Sequence, residues 1–132
     1  MKIKYFFLFF FPSVLGVQCG KEQALNEKTA GSYSGTFACV SYTGHSYPRT
    51  ETNGVLELVA AGADSLRLKQ NYYCLYATSF VHDAALSTNT TDYWKGPGSQ
   101  DLIISRNDSV FVYLPRLSGY GWLAQEFKGK RQ

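Results

Sequence analysis

Few side chains in this chain are spaced to do chemistry. His82-Asp83 sets an imidazole beside a carboxylate, which invites a nucleophilic triad. A reactive serine would also need a base within hydrogen-bond reach and a strained elbow such as Gly-x-Ser-x-Gly. The sequence has no such elbow, and its serines are scattered through turn-forming stretches. The reading is a surface His-Asp pair. Glu51 and Glu57 are close in sequence, but a glycosidase needs two carboxylates converging in a cleft, which spacing alone does not supply. No phosphate-cradling glycine loop and no calcium-loop spacing occurs. The cysteines (19, 39, 74) and histidines (45, 82) lack the close ligand spacing of a zinc site. The expectation is a non-enzyme with no catalytic residue, no metal and no cofactor.

The cysteines have a chemistry of another kind. Lys2 and Lys4 precede an aromatic, apolar run from Tyr5 to Phe11, and a softer stretch, Val14 to Val17, leads to Cys19. A positive start, a greasy core of about 13 residues and a cysteine at the exit read as a bacterial lipoprotein signal peptide, too short to span a bilayer. Residues 1–18 would be removed and Cys19 would carry lipid. Gly16 and Gln18 depart from the usual lipobox. A plain secretory peptide cut after Gly16 and an uncleaved anchor are the alternatives, and all three export the chain. Cys39 and Cys74 then remain as an even pair in an oxidising compartment. A bridge between them would close a loop of about 36 residues and restrict the unfolded chain by roughly 4 kcal/mol. Two separately buried thiols are the other option.

Charge narrows the partners. Residues 1–18 hold two of the 13 basic and none of the 10 acidic residues, leaving 11 against 10. No basic face for nucleic acid is visible. Lys128, Lys130 and Arg131 form a small C-terminal cluster that could favour anionic headgroups by roughly 1 kcal/mol per charge, or simply a solvated tail.

The elements that must position these residues are strands. Residues 19–31 are polar and read as a tether of about 19 Å reach, or one short helical turn, so a single domain occupies 32–132. Tyr33, Gly35, Phe37 and Cys39 alternate with Ser34, Thr36 and Ala38, the period of a half-buried strand. Residues 55–59 and 66–69 form a hairpin about Ala61-Gly62-Ala63-Asp64, its leucines marking the buried face and Glu57 near Leu68, or one register away. Residues 71–81 are aromatic and β-branched and continue the sheet. Residues 82–99 contain almost every turn former and read as one long loop. A second hairpin turns at Arg106-Asn107-Asp108, and a last strand runs from Trp122 to Phe127. About seven short antiparallel strands suggest an up-and-down barrel or curled half-barrel, with a sandwich as the alternative.

Tyr33-Ser-Gly-Thr-Phe37, the hairpin 54–66 and Phe127-Lys-Gly-Lys-Arg131 resemble small lipocalin-like lipoproteins of Bacteroidota. That resemblance implies a barrel able to hold a small apolar ligand if side chains leave room. Leu66-Arg-Leu-Lys-Gln70, Trp94-Lys-Gly96 and the turn at Arg106 resemble, in their order, the membrane-bound inhibitors of C-type lysozyme, although the inhibitory loop is absent and the cysteines are placed differently.

Amphipathic aromatics are the candidate contact residues: Tyr93 and Trp94 in the long loop, with Tyr120 and Trp122. Asp64-Ser65-Leu66 and Asp108-Ser109-Val110 resemble acceptors of Bacteroidota O-glycosylation at Ser65 and Ser109, and are equally ordinary turns. The expectation is an exported, outer-membrane, lipid-anchored barrel that binds a small apolar ligand or glycan. The alternative is a structural or partner-docking subunit of an envelope complex. An internal cavity of about 300 Å³ or more favours the first and a filled interior the second.

Overall fold

The computed structural model describes residues 24–42, 49–69, 75–118 and 121–132. The chain forms a closed antiparallel barrel of eight strands in sequence order. They are β1 (Gly31–Tyr42), β2 (Arg49–Ala60), β3 (Ser65–Leu68), β4 (Ser79–His82), β5 (Asp92–Lys95), β6 (Leu102–Arg106), β7 (Ser109–Ser118) and β8 (Gly121–Arg131). A five-residue helix, α1 (Leu25–Thr29), precedes β1.

Alternation sets the two faces of the wall. Leu56, Leu58, Leu66 and Leu68 are all buried, as their spacing predicts. The hairpin pairs Leu58 with Leu68, Val59 with Arg67 and Ala60 with Leu66, the one-residue alternative of the expected register. Residues 82–99 are not one loop. β4 extends to His82, and β5 lies inside the segment, paired to Val81–His82 and to β6. This supplies the eighth strand. Conversely, 75–78 are irregular and β4 starts only at Ser79, so of the described part of 71–81 the sheet takes in 79–81 alone.

The long strands close the barrel through a row of glycines. Gly35 pairs with Gly54 on β2 and with Gly129 on β8. A Cβ on Gly35 would run into the Lys128 carbonyl oxygen, and one on Gly129 would lie 2.5 Å from the Phe127 ring. Only bare backbone lets β1 and β8 approach this closely, and such glycines give a barrel wall its bend.

One end of the barrel is shut by α1. Asn26, itself buried, donates from Nδ2 to the Gly62 and Ser65 carbonyls at 2.9 and 3.2 Å. Arg131 secures the other side. Its guanidinium donates to the Ala30 carbonyl at 2.8 Å, to the Lys28 carbonyl and to the Tyr33 hydroxyl at 2.9 Å. Tyr33 in turn donates to the Thr29 carbonyl at 2.6 Å, and burial raises its phenol above the usual range. The polar segment 19–31 therefore contains a packed cap in its described part.

Candidate functional site

The aromatic pair expected on a loop is divided by the pleat of β5. Trp94 points inward and is 0% exposed, pairing with His82 on one side and Ile103 on the other. Tyr93 is half-buried on the opposite face. Trp94 is a core residue and not a surface contact. The Thr-rich and Gly-Pro-Gly flanks mask a four-residue strand in the sequence. Tyr120, and the side chain of Trp122 on β8, lie outside the described residues.

With Trp94, the side chains of Tyr33, Phe37, Phe80 and Phe127 fill the interior, each fully buried. Phe37 and Phe127 meet at 4.6 Å between ring centroids. Leu56, Leu58, Leu66, Leu68, Leu75 and Leu114, with Ile103, Val110 and Val112, complete one continuous core. Charged residues such as Glu51, Glu57, Lys69, Lys128 and Lys130 stand on the outside. An apolar inside and a charged outside reverse the polarity of a barrel that spans a bilayer.

The histidine does find a serine and a carboxylate, though not the neighbour expected. Ser87 Oγ lies 2.9 Å from His82 Nε2, and Asp92 Oδ1 lies 3.4 Å from the same nitrogen. Asp83 instead pairs with Lys95 at 2.6 Å, which holds its carboxyl below the usual range. A relay needs the serine and the acid on different ring nitrogens. The Ser87 hydroxyl also lies 3.0 Å from the Asp83 carbonyl and accepts from the Tyr93 N–H at 3.1 Å. With serine and acid both on Nε2, the three groups are not arranged as a relay. The trio ties the β4–β5 loop together, and the His82 ring leans edge-on against Trp94 at 5.0 Å.

A buried carboxylate that the sequence did not advertise lies at the end opposite α1. Asp101 is 2% exposed. Its Oδ2 accepts from the Tyr76 hydroxyl at 3.1 Å and the Gly98 N–H at 3.0 Å. Arg116 stands 3.7 Å from Oδ1 and stacks 3.6 Å above the Tyr76 ring. Burial pushes the Asp101 carboxyl up, with the Gly98 hydrogen bond opposing. Perturbed carboxylates often mark functional sites, but this one has structural work. Gly96-Pro97-Gly98 wraps around it so closely that a Cβ on Gly98 would lie 2.7 Å from the carboxylate. Asp101 organises the β5–β6 turn. Glu51 and Glu57 do not converge: Glu51 bonds Arg49 and Glu57 bonds Lys69, on the outer face. Among the described residues no three His, Cys, Asp or Glu side chains cluster to hold a metal ion.

Of the modification sites, Cys19 and Cys74 lie outside the described residues, while Cys39 is half-buried on β1 between Thr50 and Gln125. Ser65 and Ser109 open β3 and β7, both at the α1 end.

A pocket of about 240 Å³ lies at the α1 end, between Lys28 and Thr29 and the turns carrying Asn89 and Asn107, and larger grooves open on the outer wall. One groove, of about 500 Å³, runs from β6 across β7 and β8 to β1. Ile104 and Phe111 form its apolar floor, and Arg106, Lys128 and Lys130 its charged rim. Lys128 Nζ lies 5.5 Å from the Phe111 ring centroid. A second hollow of about 530 Å³ continues past Ser34 over Gly35 and Gly54 to Val55. Both follow the glycine row, where the missing side chains let the wall sink. Sequence reading missed this surface because strand pairing, not spacing, assembles it.

No family model, curated protein or solved structure matches the chain.

Proposed function

We propose that this chain is an exported, lipid-anchored barrel of the bacterial envelope that acts through its outer wall as a docking subunit. Cys19 is the lipid-bearing residue, and Cys39 with Cys74 forms the stabilising bridge. The observation supporting docking over a ligand-holding barrel is the filled interior: five fully buried aromatic rings occupy the space a small apolar ligand would need. The lipocalin-like resemblance fits the barrel and the anchor, while the ligand-holding role it implies has no room among the described core residues.

Two chains on Cys19 give stable association where one alone is marginal. In cells fed labelled palmitate, the wild type should carry label and sediment with membranes. Cys19→Ala should lose the label and either leave the membrane or accumulate unprocessed. If both fractionate alike and neither is labelled, the anchor is wrong. A fluorescent long-chain fatty acid titrated into the purified protein should give no saturable signal. A stoichiometric, saturable one would replace docking with ligand carriage.

A further inference from the structure

The outer groove has the chemistry of a membrane contact, and the chain's entry point puts it where a membrane would be. Its lining includes three cations, Arg106, Lys128 and Lys130, and no carboxylate. Asp108, beside Arg106 in the β6–β7 turn, is outside that lining. Glu126, further along β8, is held by Arg49 at 3.2 Å. Between the cations lie Ile104 and Phe111, half-buried on the outer face, with Tyr113 stacked on Phe111 at 6.4 Å. Cations around half-buried apolar side chains suit an anionic headgroup with the first carbons of its acyl chains. The C-terminal basic cluster is part of strand β8 and not a free tail. Arg131 turns inward to hold α1, while Lys128 and Lys130 stand outward on β8 beside the groove.

Position supplies the second argument. The groove lies on the half of the wall nearest α1: Arg106 and Ser109 flank the β6–β7 turn, and Lys130 is next to the end of β8. The chain enters the barrel at that same end. From Cys19 to Ala24 is five residues, a span of at most about 18 Å when fully extended. An anchor at Cys19 would hold this end against the bilayer. Glu27 and Lys28 on the exposed side of α1 add no net charge, and Asp64, Asp83 and Asp92, in or beside the β2–β3 and β4–β5 turns of the same end, are outside the groove lining.

We propose that the groove bounded by Arg106, Lys128 and Lys130 seats anionic phospholipid of the membrane that anchors the chain, fixing the barrel's orientation on it. This rests on the lipid-anchor reading. The test uses the purified lipidated protein on vesicles of phosphatidylcholine, with and without phosphatidylglycerol, and measures amine-labelling rates lysine by lysine. Lys69, by β3 on the far wall, is the reference. Lys128 and Lys130 should label about fivefold more slowly on anionic vesicles, as roughly 1 kcal/mol per basic residue implies, with Lys69 unchanged. Equal rates on both vesicles, or equal slowing of Lys69, would overturn the proposal. Protection present in native envelopes but missing on lipid alone would also overturn it, in favour of a protein partner. A protein that fails to float with vesicles would overturn the anchor itself, a result distinct from an anchored protein whose groove stays open.

Discussion

Trp94 and Asp101 show how a residue's surroundings decide what it is for. Trp94 looked like a contact residue because of its neighbours in sequence; its neighbours in space are Ile103 and His82. Its indole N–H is buried without a hydrogen-bond partner among the described residues, so shape and apolar contact hold it. Trp94→Ala should cost about 3–5 kcal/mol, the range for emptying a large aromatic site. A thermal midpoint within a few degrees of wild type would contradict that placement. For Asp101, the raised carboxyl means that the folded chain keeps a proton which the unfolded chain releases just above the ordinary aspartate range. Folding stability from this group is therefore fullest at low pH and falls as pH rises through that window. Asp101→Asn should flatten that slope in denaturant midpoints measured against pH. At pH 7 it should be at least as stable as wild type, since no buried charge remains. A less stable variant that kept the slope would show the Arg116 contact to outweigh burial.

At the scale of elements, legibility followed the range of the interaction. The 56–68 hairpin was readable because alternating leucines and an Ala-Gly-Ala-Asp turn are local signals. β5 was not, since Asp92–Lys95 is too short to show a period and is flanked by turn formers. The α1 cap was invisible because Arg131 reaches Lys28 and Ala30 across the length of the domain. The glycine row could not be read for the same reason: Gly35, Gly54 and Gly129 meet only once the register is set. Two glycine substitutions separate close approach from backbone strain. Gly35→Ala drives a Cβ into the Lys128 carbonyl, which is backbone and cannot swing away, and should cost about 3 kcal/mol or more. Gly62 has open space around it and only its φ of +73° to defend, so Gly62→Ala should cost about 1 kcal/mol. Denaturant unfolding of both variants checks the order; equal losses would remove the glycine row as the cause of the bend.

For the molecule as a whole, the sequence disclosed an all-β barrel but not whether it was hollow. Interior volume depends on which rings share the inside, and this emerges only from eight strands closing in register. Once closed, Tyr33, Phe37, Phe80, Trp94 and Phe127 meet in the middle, and the grooves appear on the outside. If the chain docks as proposed, the barrel works by its wall and not by its interior. Trp94 is a native probe of that claim, since the chain has two tryptophans and Trp122→Phe leaves Trp94 alone. The most direct measurement is Trp94 emission in that variant during titration with a brominated fatty acid, which quenches only on close contact. A packed interior predicts blue-shifted emission that stays unquenched throughout. Saturable quenching would mean that the acid reaches Trp94, and that the barrel is a ligand carrier after all.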